Sequence, residues 1–239
     1  MSPLTALIER HLPAGGRLLE AGCGLGQYVL LLREHGRAAV GADWSLEALR
    51  AGARLGAPLA VMDLRALAVV TGGIGAYLSL GVVEHDPDGP DAILREAARV
   101  VPSGGTLLLS VPYWNGMRRL AAPYLRRQAR HTRAAGGQFY QYAFTRGELA
   151  RRLAAHGFAV TAFHPYDPAR VLRKALRRLR GGAHPPGPGG TSPAPTGVAD
   201  APVPAGARSR LGRAARALLY SGPSLRLFGH MLLAVAVRR

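Results

Sequence analysis

The chain has 239 residues, of which 48% are hydrophobic, so it is long and apolar enough to bury the core of one domain with additional segments. Its single cysteine, Cys23, excludes a disulfide framework and a cysteine-rich zinc site, and suits a reducing compartment. The formal net charge is +17. Residues 1–113 hold 9 arginines against 11 acidic residues, whereas residues 114–180 hold 15 basic residues against 2 acidic ones.

The N-terminus has no basic start followed by an apolar run, which is the pattern of a signal peptide. No stretch reaches the roughly 18 apolar residues that indicate a membrane span. We therefore expect a cytoplasmic protein without a membrane-spanning helix.

Strand and helix patterns alternate along the first half of the chain. Strands are predicted at 17–21, 38–42, 59–62, 74–80 and 106–111, and helices at 27–35, 45–55 and 90–101. Alternation on this scale predicts an α/β fold with a parallel, doubly wound sheet.

The pattern changes after Val111. Residues 112–144 are irregular and rich in aromatic side chains. A capping box, Thr145-Arg-Gly-Glu148, then predicts a helix that ends near Gly157. A strand is predicted at 158–163 and a basic amphipathic helix at 168–180. Residues 181–207 are rich in Pro and Gly and predict a disordered or extended insert. A further helix at 209–220 and a last strand at 230–237 follow.

Three glycines, Gly22, Gly24 and Gly26, stand between the first strand and the first helix. Glycine lets the backbone turn sharply and approach a ligand, and the start of the helix offers free N–H groups. The dinucleotide fingerprint G-x-G-x-x-G would need a small residue where Gln27 stands. Glu20, before the loop, would repel a pyrophosphate but can contact a cationic amino-acid group.

Acidic residues follow the next two predicted strands. Asp43 ends the second strand and Asp63 follows the third, at the edge where sheets of this type bind ligands. A carboxylate at Asp43 can accept hydrogen bonds from neighbouring hydroxyl groups, and Trp44 offers a flat aromatic face. Asp63 has an alternative role, which is to cap the short turn that follows it.

The segment Glu20-Ala-Gly-Cys-Gly-Leu-Gly26 resembles the first motif of the class I S-adenosylmethionine-dependent methyltransferases. Further segments resemble the same family in the same order, at 78–85, 94–110, 142–149 and 155–158. The resemblance covers about residues 15–165 and the final strand. It implies a Rossmann-like sheet of seven strands, the last one antiparallel, and S-adenosylmethionine as cofactor. The chain departs from the family at 66–76, where a Pro-Phe step and an Asp before the fourth strand are usual.

The resemblance also implies roles for individual residues. The glycine loop with Cys23 would surround the methionine part, and the backbone near Leu80 would face it. Asp43 and Trp44 would hold the ribose and adenine, and Asp63 with Leu64 would hold the adenine. The implied cofactor set is thus Glu20, Gly22, Cys23, Gly24, Gly26, Asp43, Trp44, Asp63, Leu64 and Leu80.

His85 would lie beside the methyl-transfer face. It is a candidate general base, because an unperturbed histidine can accept a proton near neutral pH. The alternative is a helix-start residue that packs beside the methionine moiety. Glu84 and His85 are adjacent, but two neighbouring residues do not make a metal site, and we expect no bound metal.

The basic second half is the only sequence feature that bears on the acceptor. It favours an anionic partner, which could be a phosphorylated substrate, a nucleic acid or a membrane surface contacted by the basic helices. A coding bias toward arginine explains the rarity of lysine, with 30 Arg against 1 Lys, but does not explain the loss of acidic residues after 113.

The sequence predicts a methyltransferase domain at 1–165 plus 229–239, an acceptor-side insertion at 112–144, and basic helices at 166–228 with a flexible linker at 181–207. We expect methyl transfer to a small molecule, anionic or lipid-linked. The alternatives are an RNA or protein methyltransferase, a non-catalytic S-adenosylmethionine-binding protein, or an NAD or nucleotide-sugar enzyme. The only lysine, Lys174, excludes Tyr-x-x-x-Lys hydride chemistry. The oligomeric state is left open.

Overall fold

A computed structural model describes residues 2–124, 141–170 and 217–239. The predicted basic helix beyond Arg170, the insert at 181–207 and most of the predicted helix at 209–220 lie outside the described residues. None of the described helices combines the length and the apolarity needed to cross a bilayer.

Seven strands form one mixed sheet in the order β3-β2-β1-β4-β5-β7-β6. Strands β1 to β5 are parallel, and β7 runs antiparallel to both β5 and β6. Their bounds are β1 Arg17–Ala21, β2 Ala38–Asp43, β3 Leu59–Val61, β4 Ala76–Leu80, β5 Thr106–Pro112, β6 Phe158–Tyr166 and β7 Met231–Arg238. The predicted α/β fold, with an antiparallel last strand, is confirmed. The strand order reverses between β1 and β4, which is where such sheets open a ligand crevice.

The helices are α1 Pro3–His11, α2 Gln27–Glu34, α3 Leu46–Ala53, α4 Asp91–Val100, α5 Gly116–Leu120, α6 Arg146–Ala155 and α7 Gly222–Phe228. Two predicted helix starts are confirmed by their capping bonds. Ser45 Oγ accepts from Ala48 N at 3.3 Å, and Thr145 Oγ1 accepts from Glu148 N at 3.1 Å. Strand β6 extends three residues beyond its predicted end, to Tyr166.

The sequence analysis assigned no element to the segment that forms α1. Ser2 Oγ accepts from Thr5 N at 3.1 Å and Pro3 occupies the first turn, so the local start signal was present. Ile8 is fully buried against the sheet. His11 at the end of the helix contacts His164 of β6, with 2.9 Å between their Nε2 atoms. Helix α1 is therefore fastened to the sheet at both its apolar face and its C-terminal end.

Both faces of the sheet are covered. Successive residues of β5 point to opposite faces, so that Leu107 and Leu109 pack with Leu94 of α4 and Leu149 of α6. Leu108 packs on the other face, with α1 and α2. Parallel strands buried on both sides read as nearly continuous apolar runs, as β4 and β5 do here. The two packed layers make a frame whose carboxyl edge carries the loops described next.

Candidate functional site

The glycine loop lies between β1 and α2 at the carboxyl edge of the sheet. Gly22 N and Cys23 N both donate to Ala42 O of β2, at 2.7 and 3.1 Å. Gly26 is the N-cap of α2 and has a left-handed φ of 68°. The loop is thus tied to the neighbouring strand at its start and to the following helix at its end.

Gly22 is required both by its conformation and by the space around it. Its φ is 79°, which side chains other than glycine rarely adopt. A Cβ at this position would overlap the methyl groups of Val82, which follows β4. The loop therefore packs directly on the segment that follows β4.

Asp43 joins the glycine loop to the start of α3. Its side chain is buried, with the residue 8% exposed. Its Oδ2 accepts from Gly24 N at 2.8 Å, and its Oδ1 accepts from Ser45 N at 2.9 Å. Each carboxylate oxygen is oriented by one backbone N–H and keeps a lone pair for a further donor. The sequence predicted a ligand-binding acid here but did not predict this bracing role.

Glu20 lies behind the loop and is 5% exposed. Its Oε2 accepts from Val29 N at 3.1 Å. Burial raises the pKa of this carboxyl to about 8, with a smaller contribution from the negative charge of Asp43. Glu20 is therefore largely protonated at neutral pH unless a cation is placed beside it.

Cys23 is a packing residue in this arrangement. It is buried, and burial raises the pKa of its thiol, with further contributions from the charges of Glu20 and Asp43. A thiol that stays protonated is a poor nucleophile. The geometry gives Cys23 a place in the loop wall and no reactive role.

The other residues predicted to bind the cofactor lie around the loop and are more exposed to solvent than Glu20 and Asp43. Asp63 is half-exposed and accepts from Arg65, through Nε and Nη2 at 3.0 and 2.8 Å and through the backbone N at 2.9 Å. The hydrogen bonds from Arg65 hold the pKa of Asp63 below its usual value. Trp44 is 86% exposed, whereas Leu64 and Leu80 are half-buried against the core. The edge thus offers an ionised carboxylate and an open aromatic surface beyond β2 and β3.

A short 3-10 turn, Val83–His85, follows β4 beside the loop. Glu84 is 2% exposed, and burial raises its pKa to about 8. Its Oε2 has no hydrogen-bond partner among the described residues, while its backbone oxygen accepts from Tyr142 N at 2.9 Å. His85 is half-buried in the same turn. Sequence reasoning considered Glu84 only as a metal ligand and missed its burial, which follows from its tertiary surroundings.

The geometry brings the glycine loop, Glu20, Asp43 and the end of β4 together, with Asp63 farther along the edge. Within the described ranges, no group of three or more His, Cys, Asp or Glu side chains could hold a metal ion. The groups available to a ligand are carboxylate oxygens, among them the remaining lone pairs of Asp43, and an exposed indole. They fit a ligand that carries an ammonium group, hydroxyls and an aromatic base, as S-adenosylmethionine does.

A family model described as a methyltransferase domain matches residues 1–162, well over half of the chain. The chain therefore belongs to this family and is a class I S-adenosylmethionine-dependent methyltransferase. A search of curated proteins gave no significant match.

Solved structures share the fold at low sequence identity. A geranyl diphosphate C-methyltransferase from Streptomyces coelicolor A3(2), crystallised with Mg²⁺, geranyl diphosphate and S-adenosyl-L-homocysteine, is 15% identical. The match covers 99% of this chain and 80% of that chain with a TM-score of 0.63. A methyltransferase from Methanosarcina mazei is 20% identical over 69% of this chain and 88% of that chain, with a TM-score of 0.58. One from Mesorhizobium loti is 17% identical over 98% and 96%, with a TM-score of 0.59.

Replacement of Gly22 by alanine should both destabilise the protein and weaken S-adenosylhomocysteine binding, because the new Cβ would overlap Val82. Gly36 is the matched control, since its φ of 77° is nearly the same and its Cβ would have no neighbour within 4 Å. We expect Gly22→Ala to cost about 1–3 kcal/mol more than Gly36→Ala in urea unfolding. Equal losses for the two variants would contradict the close packing of the loop on Val82.

The free energy of unfolding should fall as pH rises from about 5 to 8. A carboxyl with pKa about 8 in the folded state and 4.5 when unfolded binds its proton more tightly in the fold, so its contribution is lost through this window. Each such group contributes a slope of at most about 1.4 kcal/mol per pH unit. Glu84→Gln should remove roughly half of the slope, and the exposed Glu34→Gln none of it. Parallel curves for Glu84→Gln and wild type would show that Glu84 is ionised in the fold.

Proposed function

We propose that this enzyme transfers the methyl group of S-adenosylmethionine to a small-molecule acceptor that carries a negative charge, a class that includes lipid-linked phosphates. One observation carries the proposal on the acceptor. Residues 113–147, which follow β5 in the chain, contain arginines and no Asp or Glu, and of these arginines Arg118, Arg119 and Arg146 lie in the described part of the chain. A positive potential next to the cofactor loop favours an anionic substrate over a neutral or cationic one. The geranyl diphosphate methyltransferase of similar fold is an example with such an acceptor.

The cofactor would lie across the glycine loop. In this arrangement Gly22, Cys23, Gly24 and Gly26 surround its methionine part, and Leu80 supports it from the end of β4. Asp43 accepts from the ribose hydroxyls with the lone pairs that Gly24 N and Ser45 N leave free. Because both oxygens are already oriented, little reorganisation accompanies binding.

The adenine would lie beyond β2 and β3. Trp44, at 86% exposure, offers a face on which the ring can pack, and Leu64 supports the opposite side. Asp63 accepts from the exocyclic amino group, sharing its carboxylate with Arg65. An exposed ion pair contributes little free energy by itself, so the pair can adjust without a large cost.

The methyl group on the sulfonium is the electrophile that the bound cofactor supplies. The protein orients the two reactants and excludes water, and positioning of this kind can account for most of the rate. His85, in the turn after β4, would accept a proton when the acceptor is a hydroxyl or amine. A neutral carbon acceptor must likewise lose a proton once the methyl group has added, whereas an oxygen that is already anionic needs no base.

Binding of S-adenosylhomocysteine should tighten as pH rises from about 6 to 8. In the free protein Glu20 has a pKa of about 8, and it must lose its proton to contact the ligand ammonium. The dissociation constant should therefore fall by up to about tenfold per pH unit in this range, measured by calorimetry. Glu20→Gln should flatten the curve, while the exposed Glu47→Gln should leave it unchanged. A pH-independent wild-type affinity would remove the proposed ammonium contact.

His85→Ala should lower kcat by about 10²-fold while changing the dissociation constant of S-adenosylhomocysteine by no more than about twofold. The reason is that a general base acts on the acceptor proton and not on the cofactor. His35→Ala serves as the control, because His35 lies past the end of α2 and pairs with Glu9. An unchanged kcat for His85→Ala would leave this histidine with a packing role alone.

The acceptor class can be tested directly. Protein and S-adenosylmethionine with a labelled methyl group are added to a cell extract, which is then separated into small-molecule, RNA and protein fractions. We expect label in anionic small molecules, above the background that the Gly22→Ala variant gives. The RNA and protein fractions should carry no label above that background. Label confined to RNA or to protein would overturn the proposal and favour one of the macromolecular alternatives.

A further inference from the structure

Two arginines flank Tyr113, the residue that directly follows β5 at the carboxyl edge. Arg118 Nη1 donates to Tyr113 O at 2.7 Å. The guanidinium carbon of Arg146 lies 5.9 Å from the centroid of the Tyr113 ring, within the range of a cation–π contact. The two guanidinium groups come from different elements, α5 and the first residue of α6. They converge here because both elements start at this edge of the sheet.

Arg118 is held by buried structure. Asn115, the N-cap of α5, is 3% exposed, and its Oδ1 accepts from Arg118 N at 2.8 Å. Asn115 Nδ2 donates to Gly229 O at 2.8 Å, which fastens α5 to the end of α7. Tyr113 N donates to His230 O at 2.9 Å. These bonds fix Arg118 in one place and distinguish it from a mobile surface arginine.

The positive charge at this place is not balanced by a carboxylate. Arg118 Nη2 contacts His230 Nδ1 at 3.4 Å, which must act as acceptor because a guanidinium only donates. Burial lowers the pKa of Arg118, and the charge of Arg170 lowers it further. Across the part of the chain that the structure describes, no ion pair joins Arg118 or Arg146 to an acidic side chain.

The side chain of Arg146 also has one polar atom without a hydrogen-bond partner. Its Nε is buried and has no hydrogen-bond partner among the described residues. A buried donor without a partner costs free energy, and a buried unpaired charge costs more. Positive charge without a carboxylate partner among the described residues therefore contacts Tyr113 from two elements, and a ligand with negative charge would complete this site.

We propose that Arg118 and Arg146 bind a phosphate or diphosphate group of the methyl acceptor, with Arg170 adding positive charge at the rim. This inference rests on the proposed function and names its substrate class. Two guanidinium forks match the several oxygens and the charge of a phosphate or diphosphate, whereas a single carboxylate would leave positive charge unbalanced. The phosphate serves as a remote anchor that orients the acceptor.

Inorganic pyrophosphate is a direct probe of this site, because its binding needs neither cofactor nor methyl transfer. We expect wild-type protein to bind it in calorimetry at low ionic strength. Arg118→Gln and Arg146→Gln should each weaken binding by about tenfold or more. Arg119→Gln is the matched control, since Arg119 is an exposed neighbour on the same helix, and should change affinity by less than about twofold. Equal losses in all three variants would mean general charge attraction and would overturn the proposal.

The unfolding temperature without pyrophosphate separates binding from folding. Arg118→Gln removes a half-buried positive charge that has no carboxylate partner, but also its contacts with Tyr113 O and His230 Nδ1, so we expect its unfolding temperature to stay close to that of wild type. Arg118→Lys keeps the charge but lacks the fork, so its pyrophosphate affinity should lie between those of wild type and Arg118→Gln. If Arg118→Gln unfolds early while Arg118→Lys binds pyrophosphate like wild type, the arginine has a structural role and the proposal fails.

Two further titrations identify the kind of molecule that carries the phosphate and separate a failure of the anion site from a failure of the proposed methyl transfer. A short RNA and vesicles of anionic lipid are titrated in the same way. If either binds far more tightly than pyrophosphate, and if that binding depends on Arg118 and Arg146, then that partner and not a small molecule is the acceptor. Binding of S-adenosylhomocysteine without pyrophosphate would overturn the anion site and leave the proposed methyl transfer standing. Binding of pyrophosphate without S-adenosylhomocysteine would do the reverse.

Discussion

The carboxylate of Asp43 is the interaction on which the cofactor edge depends. It accepts from Gly24 N and from Ser45 N, and so connects the loop after β1 with the helix after β2. Glycines occupy three positions of this loop, and a glycine backbone has much conformational entropy to lose on folding. A charged acceptor with two oriented oxygens compensates for this. The same residue would then present its remaining lone pairs to a ligand. The carboxylate that holds the loop in place is thus also the proposed binding group.

Charge is arranged along the edge in two regions. Around the glycine loop, Glu20, Asp43 and Glu84 are buried, and the two glutamates have pKa values raised to about 8. Around Tyr113, beyond β5, the charged groups are arginines without carboxylate partners among the described residues. A cationic ligand would be stabilised in the first region and an anionic one in the second. This division suits a sulfonium and ammonium cofactor beside an acceptor that bears phosphate.

Sequence reasoning located the strands, the order of the motifs and the acids at strand ends, because periodicity, glycine spacing and capping residues are local signals. It missed α1, although Ser2 and Pro3 mark its start. The burial of Glu84 and the contact of Arg146 with Tyr113 were not predicted, because both depend on segments far apart in the chain. The acid-free run after β5 was visible as composition, but only the fold shows that Arg118 and Arg146 both contact Tyr113.

Calorimetric titration of the wild-type protein with S-adenosylmethionine, S-adenosylhomocysteine and NAD tests the central claim most directly. We expect both sulfur compounds to bind at one site per chain and NAD not to compete with them. The reasons are the acid at position 20 and the absence of a third small residue at position 27, both of which disfavour a pyrophosphate on the loop. Binding of NAD with no binding of either sulfur compound would contradict that claim.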